Sequence, residues 1–307
     1  MTSTSKSEKM KGTLCIVGTS ICYGLVPSFS FLAFDMGVKT ATLLFDKFLI
    51  AAIIMWAFIF LRRIRFRFSR AAALRMIVVC AAYIGLSTTL YIAFDYISGS
   101  LATIVSFTFP AIIIAIEMLT GREPVRMLRI LAVIMSFGGL MLIVWSPDLH
   151  GSLIGIAFAF GTAICYVIYI FGLGSESVKK ESSFAVSGYV MLSAAAFNGV
   201  RCAVSGEPLF VVRADQLLMM ILLSVVCVFL AILLYALGVK LIGPGNAALL
   251  NTLEPVLACI FGHFLVGDEM TGRMVIGSAL VVLAMLVVNL PAGSSAGKRP
   301  RPRDPST

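Results

Sequence analysis

Long apolar stretches recur roughly every thirty residues along this chain, and most approach the ~20 residues a helix needs to cross about 30 Å of hydrocarbon. That recurrence restricts the fold more than any other feature. The chain is 60% hydrophobic and 13% charged, against about half and a quarter in soluble domains. A buried core cannot absorb the excess, so lipid must act as the second solvent. Only helices and closed barrels satisfy their backbone in lipid, and barrel strands alternate in polarity. These stretches do not alternate. The expected fold class is therefore all-α, a polytopic membrane protein.

Ten spans are predicted, at 14–34, 41–61, 74–95, 98–119, 127–146, 152–172, 184–204, 216–238, 244–266 and 272–290. The turns near Ser98-Gly99 and Gly243-Pro244-Gly245 divide long apolar runs, and their Gly/Pro content supports the division. Basic residues then sort to one side. With the N-terminus inside, the cytoplasmic segments hold Lys6 to Lys11, the run from Arg62 to Arg75, Arg122 to Arg129, Lys179, Lys180, Lys240 and the basic C-terminal tail. Only Lys39, Arg201, Arg213 and Arg273 fall outside, while Lys47 lies within a span. This bias is the positive-inside signature and places both termini in the cytoplasm. The first apolar run is long for a secretory signal and lacks a small-residue cleavage site, so it counts as a helix. The tail 291–307 is Pro/Gly/basic and is expected to be disordered, as a cytoplasmic segment.

Three matches in order reveal an internal repeat. Thr19-Ser-Ile-Cys-Tyr23 corresponds to Thr162-Ala-Ile-Cys-Tyr166, Pro110 to Pro255, and Gly121-Arg-Glu123 to Gly267-Asp-Glu269. After a cytoplasmic tail (1–13), the halves are 14–147 and 152–290, each of five spans. Five is odd, so the second half enters the membrane inverted. Inverted repeats are a hallmark of secondary transporters, because the two halves can exchange conformations.

Two five-helix halves, Cys22-Tyr23-Gly24 followed by Pro27, Leu253-Glu254-Pro255, and Gly267-Asp268-Glu269 before the last helix together resemble the EamA-type branch of the drug/metabolite transporter (DMT) superfamily. The resemblance covers nearly all of the chain except its tails. It implies transport of amino acids, metabolites or drugs by alternating access without ATP, more often as export than uptake. This chain departs from the pattern at Tyr23, where members often have Trp, and at Lys47, where they often have Arg.

Ionisable groups at mid-membrane are costly unless paired or facing water, so each is a functional candidate. Glu254 sits near the middle of its span. Pro255 removes the donor that the Asn251 carbonyl would meet in a regular helix. Asn251 and Glu254, one turn apart, can share a polar face for an amine-bearing solute or a proton. The alternative is a protonated or hydrogen-bonded Glu254 that fixes the kink. Lys47, beside Asp46, either snorkels to the headgroups or forms an anion site for a carboxylate. By helical rise it lies on the order of 10 Å from Glu254 in depth, a gap a zwitterion could bridge. Tyr23 and Tyr166 occupy equivalent positions and suit either a solute cavity or core packing. Pro110 and Pro255 are the expected helix kinks. Asn198 reads as a helix–helix hydrogen bond, and Glu117 as an ion pair with Arg122. Glu123 and Glu269 read as helix-start residues.

The seven cysteines and two histidines form no metal-ligand or disulfide pattern. Nucleotide-binding and hydrolase motifs are lacking. The charge of +9 belongs to orientation and lipid headgroups rather than nucleic acid. These features point to a transporter in the cell inner membrane, with a small-molecule solute, the lipid bilayer and a possible coupling proton as partners, and no cofactor. Export of an amino acid or metabolite is the expected direction. Uptake by the same fold, a channel and a membrane enzyme are the alternatives, and the oligomeric state is left open.

Overall fold

The computed structural model describes residues 6–64, 69–96, 102, 105–120, 127–144, 153–267 and 272–289. The turn at Ser98-Gly99, Glu123, Glu269, Arg122 and the tail after Pro291 lie outside them. All regular structure among the described residues is helical: α1 (Lys6–Gly24), α2 (Val26–Asp35), α3 (Thr40–Leu61), α4 (Arg70–Phe94), α5 (Phe109–Leu119), α6 (Met127–Val144), α7 (Leu153–Leu173), α8 (Glu176–Lys179), α9 (Ser183–Ser205), α10 (Ala214–Leu222), a π-helical stretch (Leu223–Leu230), α11 (Ala231–Ile242), α12 (Pro244–Asn251), α13 (Leu253–Val266) and α14 (Gly272–Asn289).

Seven helical stretches are long and apolar enough to cross a membrane, among them Lys6–Asp35, Ala214–Ile242 and Pro244–Leu265. Large apolar side chains stay exposed around the outside, Phe60, Leu61, Val204 and Phe264 at more than two thirds of their surface. In water such a girdle would aggregate; in lipid it is the solvated surface.

The helices pair across the two halves. α1 packs on α11 and α4 on α7; α3 packs on α9 and α6 on α14; α1 also meets α13, and α5 meets α7. Exchanging each helix for its repeat equivalent turns the first pair into the second, leaves α3–α9 and α6–α14 unchanged, and turns α1–α13 into α7–α5. The packing therefore has the symmetry of the sequence repeat. Side chains repeat it too. Thr19 Oγ1 donates to the Ala231 carbonyl (3.4 Å) between α1 and α11, while its counterpart Thr162 bonds Thr89 Oγ1 (2.8 Å) between α7 and α4.

Small residues set these crossings, as expected where lipid supplies no hydrophobic drive between helices. A Cβ at Gly238 would stand 2.6 Å from Ile16 Cγ1, and one at Gly172 would stand 2.6 Å from Val79 Cγ2. Gly12 abuts Leu241 and Ile242, so the start of α1 and the end of α11 share one end of the bundle.

Polar contacts tie the halves at both ends. At one, the connection between α9 and α10 folds over the start of α3. Glu207 accepts the Ala41 N–H (2.9 Å), Asp46 accepts the Val211 N–H (3.0 Å), and Thr42 donates to the Pro208 carbonyl (2.6 Å). Phe45 meets Phe210 edge-on at 5.4 Å. At the other end, the Glu117 carboxylate accepts the Gly245 N–H (3.0 Å) in the first turn of α12. α12 begins after Gly243, whose φ of +82° suits glycine, with Pro244 at its first position. No local side chain caps this helix, so Glu117 of α5 supplies the acceptor from the other half. Asn198 differs from its expected role: it bonds within its own helix, donating to Ala194 O (2.9 Å) and accepting from Arg201 (3.2 Å).

Candidate functional site

Three spanning segments break within the bundle, each just before a proline. α1 gives way to α2 at Leu25 ahead of Pro27, α5 starts at Phe109 ahead of Pro110, and α12 gives way to α13 at Thr252 ahead of Pro255. Proline lacks the N–H that would reach the carbonyl four residues back. The carbonyls of Tyr23, Ser106 and Asn251 thus lose their regular helical donors. Pro110 and Pro255 act at the expected positions, with the break in each case two or three residues ahead of the ring.

Glu254 stands in the first turn of α13, where the helix dipole favours a negative group. Its Oε2 accepts a hydrogen bond from Asn251 Nδ2 at 3.0 Å. The same amide nitrogen reaches Tyr166 Oη at 3.4 Å, and Ser20 Oγ of α1 lies 3.3 Å from Asn251 Oδ1. The shared polar face expected for Asn251 and Glu254 is present, and it draws in Tyr166. Tyr23, Tyr83, Tyr166 and Tyr235 all lie within electrostatic reach of the carboxylate. Tyr23 and Tyr83 also lie within electrostatic reach of each other.

The aromatic packing continues behind this ring. Tyr166 stacks on Phe109 at 4.2 Å and 8°, and Tyr169 stacks on Tyr235 at 6.1 Å. The hydroxyls of Tyr169 and Tyr235 are buried and close no hydrogen bond among the described residues. Buried hydroxyls without partners are uncommon and call for an explanation. Tyr23, Tyr166 and Glu254, although ringed by other side chains, are only half-buried, so solvent-sized space lies against them.

Lys47 belongs to the same aromatic wall. It is 5% exposed on α3, so it does not snorkel to the headgroups. Its Nζ donates to Tyr91 Oη at 3.3 Å and lies over the rings of Phe48 (5.2 Å) and Tyr91 (5.1 Å). Phe48 in turn meets Tyr83 edge-on at 5.7 Å. The π-helical stretch backs this corner, with Cys227 within electrostatic reach of Lys47. π-helical turns are rare and concentrate near functional sites.

Tyr83, Tyr91, Tyr169, Tyr235 and Ser30 escape the sequence reading. Each is one tyrosine or serine in an apolar run, with nothing local to mark it. Only Tyr169 carried a signal, lying one helical turn after Tyr166. Among the described residues no group of three or more His, Cys, Asp or Glu could hold a metal ion.

With this geometry in place, comparison with known proteins decides the family. The model of the EamA-like transporter family matches residues 10–145 and again 153–290. The chain belongs to the EamA-like transporter family. Its two matched segments fit the internal repeat. An uncharacterized transporter of Archaeoglobus fulgidus is 27% identical over 191 residues, covering 61% of this chain and 66% of that protein. The threonine/homoserine exporter RhtA of Salmonella typhimurium (strain LT2) is 21% identical over 223 residues, 72% of this chain and 73% of the exporter. A crystal structure of another protein superposes with a TM-score of 0.76 over 94% of this chain and all of its own, at 20% identity. That likeness shows the fold. The EamA protein described here is thus a multi-pass membrane protein of a transporter family.

Proposed function

We propose that this EamA protein is a secondary transporter that exports a small metabolite, most simply an amino acid, across the cytoplasmic membrane by alternating access. The observation that carries this reading is Glu254. It is a carboxylate at a helix break inside a spanning segment, bonded to Asn251, ringed by tyrosines and open to solvent-sized space. A charge placed there is costly and persists where it serves a solute or a proton. Asn251, Tyr23 and Tyr166 line the same point, and Lys47 lies at the other end of the aromatic wall. In this reading the two halves, 14–147 and 152–290, are ten spans in two inverted five-helix repeats with both termini cytoplasmic. The helix pairing, which survives exchange of the halves, suits a frame that opens alternately to either side. Glu254 holds a proton or the amine of the solute in alternation, which couples export to proton movement. The relative RhtA exports threonine and homoserine, which supports the amino-acid class.

The test is reconstitution into proteoliposomes, with flux measured for amino acids, sugars, nucleosides and organic anions with and without an imposed pH gradient. Saturable flux of a small solute, abolished by Glu254→Gln, is expected. Ion currents far above transporter turnover, or no movement of any solute, would refute the proposal.

A further inference from the structure

The two charged side chains at the site are each incompletely met. An ammonium has three N–H donors and no acceptor capacity. Lys47 spends one donor on Tyr91 Oη, and its other two find no acceptor among the described residues. Asp46, its neighbour in sequence, turns to the α9–α10 connection, where its carboxylate accepts the Val211 N–H, and forms no ion pair with Lys47 among the described residues. The two aromatic faces give Lys47 a favourable cation–π environment but no counter-charge. Ser30, 5% exposed on α2, adds a hydroxyl 3.2 Å from the same Tyr91 oxygen. Lysine, tyrosine and serine side chains converge here, and an oxyanion is the ligand that suits such donors.

At the opposite end, Glu254 gives Oε2 to Asn251, while its Oε1 accepts nothing among the described residues. Phe48 and Tyr83 form a continuous apolar wall between the two ends, in contact with each other at 5.7 Å. A buried cation with donors to spare and a half-buried anion with one oxygen unbonded, joined by a wall of aromatic rings, are complementary to one chemical class. We infer that the solute is a zwitterion bound at two points, its carboxylate on Lys47 and Ser30 and its ammonium on Glu254. This inference rests on the transport reading above, which already takes an amino acid as the simplest solute, and adds to it a carboxylate subsite at Lys47 and Ser30. Amines without a carboxylate and acids without an ammonium leave one buried charge unpaired and are rejected for that reason.

The test uses the full-length protein in proteoliposomes loaded with radiolabelled L-threonine as the first probe, followed by the other neutral L-amino acids. Counterflow is challenged with the amino acid, with its amino alcohol, which lacks the carboxylate, and with its hydroxy acid, which lacks the ammonium. Wild-type protein should prefer the amino acid to either analogue by about 10- to 100-fold, the worth of one charge-assisted hydrogen bond. In Lys47→Met the preference over the amino alcohol should disappear while the preference over the hydroxy acid remains. Glu254→Gln should do the reverse, and Lys47→Arg should restore part of the carboxylate preference. Ser30→Ala should weaken it without loss of folding, as read by monodispersity in detergent. Equal loss for all three probes in Lys47→Met would make the lysine structural and overturn the inference. So would saturable flux confined to sugars, nucleosides or simple organic anions, a result that leaves the transport reading standing. Absence of any flux removes the transport reading and the inference with it.

Discussion

The Glu117–Gly245 contact joins one half of the bundle to the other through a single carboxylate, and replacing the glycine tests it directly. Inside a helix, alanine is favoured over glycine by about 0.8–1.0 kcal/mol, so Gly245→Ala would be neutral or stabilising in isolation. Here the new Cβ would fall 2.7 Å from Glu117 Cδ and closer still to Oε2. The carboxylate must withdraw. It then loses its bond to the Gly245 N–H, worth about 1.5–3 kcal/mol for a charged acceptor, while Glu117 stays in a setting where it is 6% exposed. The net loss expected from Gly245→Ala is about 0.5–2 kcal/mol once the helix gain is subtracted. In a Glu117→Ala background the obstacle is gone, and the same change should be neutral or stabilise by up to about 1 kcal/mol. The cycle should therefore show a coupling of about 1.5–3 kcal/mol, within the range for residues in direct contact. Reversible unfolding in mixed detergent micelles, followed by circular dichroism, provides the four stabilities. If Gly245→Ala costs the same with and without Glu117, the capping explanation of this helix start fails.

At the crossing of α1 and α11, Gly238→Leu has no room against Ile16 and should destabilise the protein by at least the 1–3 kcal/mol typical of overpacking, seen as a lowered detergent melting midpoint. Pro255→Ala returns a donor to the Asn251 carbonyl; it should leave stability unchanged or improved yet reduce flux several-fold, and unchanged flux would show that the break at Thr252 is not needed. Phe109→Ala removes the ring stacked on Tyr166 and should cost about 3–5 kcal/mol by thermal unfolding, as large aromatic truncations do. Glu207→Ala frees the start of α3 from the α9–α10 connection, and labelling of a cysteine introduced at Thr42 should rise several-fold over the parent; unaltered labelling would argue against this contact as a closure.

The helix positions were legible because lipid demands long apolar runs and charges cannot stay in them. α3, α7, α9 and α14 begin and end within about two residues of expectation, inside the usual boundary error. Glu254 was legible for the same reason reversed, since a carboxylate in such a run is conspicuous. Tyrosine carries no such mark. It is amphipathic, common in spans and equally at home in a packed core, so the ring formed by Tyr83 and Tyr235 appears only when α4 and α11 are placed in space. Lys47 was misjudged in one of its two readings because rise along the helix measures depth and says nothing of azimuth. The side chain faces Tyr91 inside the bundle, where no headgroup can be reached. Glu117 has a partner that no local pattern announces, the Gly245 N–H 128 residues away, while the expected ion pair with Arg122 lies outside the described residues.

The frame and the chemistry of the site follow different rules. Under exchange of the halves, the Tyr166–Phe109 stack corresponds to the Tyr23–Glu254 pair, so the same two positions carry a ring in one half and a carboxylate in the other. Lys47 corresponds to Val190, Asn251 to Ser106, and Ser20 to Ala163. Tyr23 and Tyr166 are each other's counterparts, but the charged and amide groups argued to face the solute, Glu254, Lys47 and Asn251, each have an apolar or smaller counterpart across the repeat, whereas the crossings that hold the helices together repeat faithfully. A symmetric frame gives two conformations of related energy, which alternating access requires. A symmetric site would double each charge and leave carboxylates facing carboxylates at close range, which low-dielectric surroundings penalise. Breaking the symmetry at Glu254 and Lys47 alone avoids that repulsion. It places one cation and one anion along a single aromatic wall, and the symmetric helix packing is left intact.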